Sequence, residues 1–135
     1  MTPDKIKLSI LTPDRLVLEE QVDEVVLPSV EGSMGVLPGH APLLAALDIG
    51  EVSYRVGSRY RYLACSGGFA EVLPDRVSLL AETAERAEEI DVERARQAHE
   101  RAEARLRAGP ARAELATIKL KRAVSRISIS SRRGG

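Results

Sequence analysis

The pattern of side chains changes abruptly near Glu82, and this change limits the fold more than any other feature of the sequence. Before it, apolar and polar residues alternate in short segments such as "IKLSIL", where Ile6, Leu8 and Ile10 fall on one face of a strand. After it, the chain is dense in Ala, Glu and Arg, which favour helix. The sequence therefore predicts a β domain over residues 1–84 and a helical segment over residues 85–135.

Turn-forming residues divide the first part into short strands. Thr12-Pro13-Asp14, Gly67-Gly68 and Pro74-Asp75-Arg76 are examples of these breaks. Many short strands separated in this way are typical of a β-sandwich or a barrel. Parallel neighbours would need crossover helices, for which this part has no room, so we expect antiparallel pairing.

The second part predicts two helices, over about residues 90–108 and 111–130. Asp91 stands where it can cap the first helix or favour its positive end, and Gly109-Pro110 ends that helix. A short break between two helices predicts an antiparallel hairpin. The helices share narrow stripes of mostly small residues: Val92, Ala95, Ala98 or His99, Ala102 and Leu106 on the first, and Ala113, Ala116, Leu120, Ala123 and Ile127 on the second. Because alanine buries little area, we expect a weakly held hairpin that can change its partner surface.

Charge is balanced over the whole chain but not along it. The 20 basic and 20 acidic residues cancel, so the molecule has no general field that favours nucleic acid. Residues 1–80 carry a net charge of −4, residues 81–110 carry −2 and residues 111–135 carry +6. The basic tail either meets an acidic partner or is a solvated helix face. No apolar run approaches eighteen residues, so we expect no direct membrane insertion, only association through a partner.

The glycine-rich stretch "EGSMGVLPGHAPLL" does not have the pattern of a phosphate-binding loop, because prolines interrupt it and it contains no lysine. His40 has no metal-ligand or triad pattern around it and is interpreted as a hydrogen-bonding loop residue. Cys65, the single cysteine, is interpreted as a small core residue rather than a nucleophile. No catalytic constellation and no metal site is predicted, and a rigid loop with exposed Gly and Pro favours docking to another protein.

Four segments of the chain together resemble one known family. "EGSMGVLPGHAPLLAAL", "YLACSGGFAEV", "RVSLLAETAERAEEID" and "LKRAVSRI" are similar to the epsilon subunits of bacterial F-type ATP synthases, in the same order. The resemblance implies a ten-stranded antiparallel β-sandwich followed by a two-helix hairpin, without catalysis of its own. It implies a rotor-stalk subunit that couples proton transport to ATP synthesis by linking the gamma subunit to the ring of c subunits. The expected location is peripheral, on the cytoplasmic face of the bacterial plasma membrane.

The resemblance also implies roles for particular segments. A docking loop from Glu31 to Pro42 would lie at the bottom of the sandwich and face the c-subunit ring. Its contact residues would be Glu31, Ser33, Met34, His40 and Pro42. Many family members carry an acidic residue where this chain has Ser33, so a charge contact there rests on Glu31. The second helix would extend into the catalytic head and inhibit ATP hydrolysis, with transient contact to the acidic alpha and beta subunits through Lys119, Lys121, Arg122 and Arg126.

The motif "IDVERA" is similar to one with which some family members bind ATP on the folded hairpin. The corresponding residues here are Glu85, Ile90, Asp91, Arg94, Arg101, Arg122 and Arg126. ATP would be a regulatory ligand, since no cofactor is required, and guanidinium groups would hold its phosphates. The alternative is that Asp91 only caps a helix and the arginines pair with glutamates one turn away. Two other functions stay open: a stand-alone nucleotide-sensing module and a small enzyme that uses His40 or Cys65.

Overall fold

The computed structural model describes residues 3–108 and 113–131, which form eight strands, one 3-10 turn and two helices. The strands are β1 (Ile6–Leu11), β2 (Leu16–Val22), β3 (Glu24–Ser29), β4 (Gly32–Val36), β5 (Leu43–Ala46), β6 (Gly50–Val56), β7 (Arg59–Leu73) and β8 (Arg76–Arg86). The 3-10 turn at Ala87–Glu89 leads to α1 (Val92–Ala108) and α2 (Ala113–Ser130). Strand β8 continues slightly past residue 84, and α1 begins slightly later than the sequence predicts.

Strand β1 forms as its alternating pattern predicts, because Ile6, Leu8 and Ile10 all lie in the core. It pairs antiparallel with β2 and parallel with β8. The expectation that every pair is antiparallel is therefore wrong for β1 and β8. The intervening strands, rather than one crossover helix, return the chain to run beside β1 in the same direction.

Strands β7 and β8 each change the face that they turn towards the core. In the first half of β7 the core residues Leu63 and Cys65 are odd-numbered, whereas in the second half Ala70 and Val72 are even-numbered. Since alternate residues point to opposite faces, the inward face switches between the two halves. Strand β8 stays paired with β7 on both sides of the switch. Both strands therefore pass from one layer of a sandwich to the other.

Two glycines lie at this switch. Gly67 and Gly68 have φ angles of 67° and 105°, which L side chains rarely adopt. A Cβ atom on Gly68 would lie 2.0 Å from the backbone oxygen of Leu80 on β8. The backbones thus approach too closely at Gly68 for any side chain, and the crossing depends on glycine.

Each layer contains five strand segments. The first layer has the order β2, β1, first half of β8, second half of β7 and β5. The second layer has the order second half of β8, first half of β7, β6, β3 and β4. Eight continuous strands thus supply ten segments, and the ten-stranded β-sandwich is confirmed. The core between the layers consists of aliphatic side chains, of which Leu8, Leu27, Leu63 and Leu79 are among the largest.

Helix α1 begins at a side-chain cap. The backbone N–H of Arg94 donates to Asp91 Oδ1 at 3.0 Å, and the N–H of Ala95 donates to the Asp91 carbonyl. The predicted capping role of Asp91 is therefore confirmed. The predicted helix break at Gly109-Pro110 lies outside the described residues.

The two helices pack on each other through small side chains, as the sequence predicts. The buried alanines of this contact are Ala95, Ala102, Ala116 and Ala123. Near its end α2 also packs on the outer face of the second layer, where Ile129 is buried with Ala64, Ala87 and Ile90. We call this arrangement, with α2 on the second layer, the closed hairpin. Its apolar contact area is small, since most of its residues are alanines.

Candidate functional site

In the described part of the chain, three ion pairs between α2 and the sandwich hold the hairpin closed. Their side chains are partly or largely accessible to solvent, and each such pair contributes only about 0–1 kcal/mol. The pairs are Lys121 Nζ with Asp48 Oδ1 at 3.0 Å, Arg122 Nη2 with Glu82 Oε2 at 3.4 Å, and Arg126 Nε with Glu85 Oε1 at 2.7 Å. These ion pairs position α2 on the second layer, but they add little to the free energy needed to release it.

Asp48 shows the electrostatic effect of one of these pairs. The ammonium group of Lys121 donates a hydrogen bond to its carboxylate, and the backbone N–H of Ile49 donates another. Chiefly because of the Lys121 hydrogen bond, the pKa of Asp48 lies below its ordinary value of 3.8. The carboxylate of Asp48 is therefore ionised at neutral pH.

A groove between α1 and α2 is lined by cations. Its floor consists of alanines of both helices, and its volume is about 240 Å³. We call it the cationic groove, and its charged residues are Arg101, Arg105, Lys119, Arg122 and Arg126. Guanidinium and ammonium groups at this density favour a ligand with several negative charges.

Three of the predicted ATP-binding residues, Arg101, Arg122 and Arg126, line this groove together. Glu85 is next to it through its ion pair with Arg126, and Ile90 is buried in the linker. Asp91 and Arg94 lie at the start of α1 and are not among the groove's lining residues.

The ion-pair partners of the arginines on α2 differ from those that the sequence predicts. Arg122 and Arg126 pair with Glu82 and Glu85 of β8, not with glutamates one turn away. Arg105 was missed as a groove residue, although its position four residues after Arg101 on one helix face is a visible signal.

A second space, which we call the α2 cavity, separates α2 from the outer face of the second layer. Its volume is about 210 Å³, and it shares Arg122 and Arg126 with the cationic groove. The remaining lining residues are Ile49, Ala64, Cys65, Ser66, Thr83, Glu85 and Ser125. Its wall is thus polar on both sides, with hydroxyl groups from β7, β8 and α2.

The predicted docking loop is in part a strand. Residues Gly32–Val36 form β4, which pairs antiparallel with β3, so the prediction of a loop from 31 to 42 is wrong for this segment. The glycine-rich sequence has low strand propensity, but the ladder to β3 overrides it. Glu31 and Ser33 are exposed at the hairpin tip, Pro42 is exposed further along, and Met34 packs partly against the core.

His40 and Cys65, the two residues that the small-enzyme hypothesis would use, lie where a structural role explains them. A ring nitrogen of His40, Nδ1, lies 2.7 Å from the Ala41 carbonyl oxygen, which confirms a hydrogen-bonding loop residue. Cys65 is 4% exposed, which confirms a core position. Burial raises the pKa of its thiol to about 12, so it is protonated at neutral pH.

Within the described residues, no group of three or more His, Cys, Asp or Glu side chains is arranged to hold a metal ion. Neither α1 nor α2, as far as they are described, has the length and apolarity needed to cross a membrane.

An apolar row crosses the outer face of the first layer. Cross-strand partners join β5, β7, β8, β1 and β2 in one line, so their side chains share a face. Phe69 and Leu80, at its centre, are each 57% exposed. We call this row the apolar ridge, and its members are Ala46, Phe69, Leu80, Leu11 and Leu16. Sequence reasoning missed it, because the row exists only in the paired register.

Comparison with known proteins gives matches over nearly the whole chain. The model of the ATP synthase delta/epsilon chain beta-sandwich domain matches residues 5–87, and that of the long alpha-helix domain of the same chain matches residues 88–131. The ATP synthase epsilon chain of Syntrophobacter fumaroxidans is 51% identical over 131 residues, covering 96% of this chain and 98% of that one. The epsilon chain of Carboxydothermus hydrogenoformans is 56% identical over 103 residues, covering 76% and 77%.

A solved structure supports the same assignment. A chain of the Euglena gracilis mitochondrial ATP synthase, in a cryo-EM structure of its OSCP, F1 and c-ring, superposes with a TM-score of 0.78. It is 30% identical, and the match covers 88% of this chain and 77% of that one. With both domain models matched in sequence, this chain belongs to the ATP synthase delta/epsilon chain family.

Proposed function

We propose that this chain is a non-catalytic subunit of the rotor stalk of an F-type ATP synthase, where it links the gamma subunit to the c-subunit ring. In this position it couples proton transport to ATP synthesis, and its hairpin restrains ATP hydrolysis. Membership of the family supports the general role. The apolar ridge is the observation that carries the proposal, because a subunit fixed to a rotating shaft needs an exposed surface for permanent contact.

The ridge suits the gamma subunit for two reasons. It lies on the outer face of the first layer, whereas α2 packs on the second layer, so the closed hairpin leaves the ridge free. Its central residues Phe69 and Leu80 are large and exposed, and burying such side chains contributes about 25 cal/mol per Å² of apolar surface. Docking there would leave α2 free to move while the sandwich stays attached.

The tip of the β3–β4 hairpin is the proposed contact with the c-subunit ring. Glu31 and Ser33 are exposed there, and Val30 next to them is also exposed. With serine rather than a carboxylate at position 33, Glu31 supplies the negative charge of this contact. His40 and Pro42 belong to the adjoining loop, which is tied to the sandwich by a hydrogen bond from Gly39 N–H to Pro74 O.

The proposed restraint of ATP hydrolysis depends on α2 leaving the second layer. Its attachment consists of one small apolar cluster, in which Ile129 packs with Ala64, Ala87 and Ile90, and of three accessible ion pairs among the described residues. Such exposed ion pairs are weak interactions. After release, the cations that had faced Asp48, Glu82 and Glu85 become available to acidic surfaces of the alpha and beta subunits. These cations are Lys121, Arg122 and Arg126, with Lys119 on the same helix.

The cationic groove supports a second role for the closed hairpin, the binding of ATP as a regulatory ligand. Arg101, Arg122 and Arg126 come from both helices and would each contact phosphate oxygens. A ligand that bridges α1 and α2 stabilises the closed hairpin by mass action.

Assembly with partner subunits tests the main proposal. The full chain should co-purify with gamma, and removal of residues 111–135 should raise the ATPase rate of the assembled enzyme. A rate that stays the same at low and high ATP concentrations would remove the inhibitory role.

Calorimetric titration of the isolated full chain with ATP tests the nucleotide site. Arg101→Gln should weaken binding, whereas Arg59→Gln, an exposed change in the sandwich, should not. Absence of heat with the parent chain would exclude ATP from the groove.

A further inference from the structure

We propose that the α2 cavity binds a phosphate group, and that free inorganic phosphate occupies it when the hairpin is closed. Phosphate binding does not depend on the proposed function, and only its effect on inhibition does. The site differs from the cationic groove, because it lies on the sheet side of α2 rather than between the helices.

Ser66 is the first observation that points to a ligand. Its side chain is on the outer face of the second layer, opposite Thr83 in the ladder between β7 and β8, and it faces α2. Ser66 is only 3% exposed, and its hydroxyl has no hydrogen-bond partner among the residues that the structure describes. A buried hydroxyl is rarely left in this state, so a polar ligand in the cavity would explain it.

Helix α2 supplies matching groups from the other side. Ser125 Oγ and Arg122 Nε are buried atoms that also have no hydrogen-bond partner within the described part of the chain. Arg122, Ser125 and Arg126 lie three and four residues apart, so one helix face presents all of them to the cavity. Arg126 Nε is close to Glu85 Oε1 but not aligned for a hydrogen bond, which leaves it able to turn to a stronger acceptor.

The chemistry of these groups selects an oxyanion. Three hydroxyls and two guanidinium groups can donate hydrogen bonds, and Glu85 is the single carboxylate among the lining residues. Donors arriving from both the sheet and α2 fit a tetrahedral phosphate better than a planar group. Arg122 is paired with Glu82 and Arg126 with Glu85, so the charges around the cavity are balanced. The polar atoms left without a partner among the described residues are hydroxyl groups and guanidinium nitrogens, and these suit an oxyanion better than a cation.

The cavity is large enough for a phosphate group from more than one source. Its volume of about 210 Å³ accommodates a phosphate ion with several waters. A nucleotide in the cationic groove could still insert its terminal phosphate, because Arg122 and Arg126 line both spaces.

Phosphate in this cavity would contact the sheet and α2 together, so it would bind only to the closed hairpin. At ten times its Kd, it would raise the ratio of closed to open hairpin by about elevenfold. The assembled enzyme would then show weaker inhibition by its hairpin in the presence of phosphate.

Calorimetry on the full chain with inorganic phosphate, against chloride at equal ionic strength, tests the site. We expect saturable binding to one site, weakened about fivefold or more by Ser66→Ala and by Ser125→Ala. Ser128→Ala, an exposed change on the same helix, should leave the affinity unchanged. Arg105→Gln should also leave it unchanged, because Arg105 lines the groove but not the cavity.

Parallel titrations with ATP and AMP distinguish the two sources. If ATP binding is weakened by Ser66→Ala while phosphate alone gives no heat, the free ion is excluded and the terminal phosphate is the ligand. No heat with millimolar phosphate or ATP, or equal affinity in Ser66→Ala and the parent, would overturn the site altogether. If removal of residues 111–135 raises the ATPase rate but the full chain binds no phosphate, the proposed function stands and only the phosphate site is excluded. The failure of one proposal can therefore be told apart from the failure of the other.

Discussion

Arg126 on α2 and Glu85 on β8 form the shortest of the three ion pairs that hold the hairpin closed, with 2.7 Å between Nε and Oε1. A second contact, from Arg126 Nη2 to Glu85 Oε2, measures 2.9 Å. Both side chains are more shielded from solvent than those of the Lys121–Asp48 pair. Solvent screens the hydrogen bond between these shielded groups less than it screens the exposed contacts of Lys121 with Asp48. This pair should therefore contribute most to closure.

Glu85→Gln should therefore weaken the closed hairpin. Loss of the charge at this partly shielded position should cost about 1 kcal/mol, which lowers the ratio of closed to open hairpin about fivefold. Hydrogen exchange of the α2 amides in the isolated chain would measure this change. Glu88→Gln is the matched control on the exposed linker, and equal α2 protection in the two variants would contradict the assignment.

The apolar ridge leads to a prediction about gamma. Phe69→Ser and Leu80→Ser should each weaken binding to the gamma subunit at least tenfold, because each removes a large side chain from the proposed contact. Their thermal stability should change little, since both residues are largely exposed. Tyr60→Ser is the control, because it removes an exposed aromatic side chain at the start of β7 that is not part of the ridge, and it should leave the affinity for gamma unchanged. Normal affinity for gamma in both ridge variants would show that the subunit docks elsewhere.

The Lys121–Asp48 pair predicts a dependence on pH. Because the pKa of Asp48 in the closed hairpin lies below 3.8, its contribution is present above that value and is lost as pH falls through the lowered pKa. Both side chains are largely exposed, so the contribution is a few tenths of a kcal/mol.

NMR shifts of the α2 amides can measure the closed fraction of Asp48→Asn. This variant should close less than the parent at pH 7 and equally in strong acid, whereas Asp75→Asn should match the parent at neutral pH. High salt should reduce the difference at pH 7, because exposed pairs are screened. A difference between parent and variant that persists in acid would contradict this account.

Local rules account for the elements that could be predicted from sequence. The alternation in β1, the cap at Asp91 and the alanine contacts of Ala95 and Ala102 involve residues close together in the chain. Those patterns have a fixed period or spacing, so a single sequence is enough to identify them.

Features that depend on pairing across the fold could not be predicted. The parallel contact of β1 with β8 and the strand at Gly32–Val36 arise from partners distant in sequence. The apolar ridge and the ion pair of Arg126 with Glu85 likewise require the register and the position of α2. The part of the candidate site that was found early came from the resemblance, whereas Arg105 and the α2 cavity required the packed helices.

Gly68 gives a stringent test of the crossing of β7 and β8. Gly68→Ala should destabilise the sandwich by about 3 kcal/mol or more, because its Cβ would meet the Leu80 oxygen at 2.0 Å and its φ is 105°. Gly35→Ala, at a position where a Cβ meets nothing within 4 Å, should change the unfolding free energy little. Denaturant unfolding of both variants would measure the difference. Equal stability would mean that β7 and β8 do not approach closely at this point, and the description of two strands shared by both layers would fail with it.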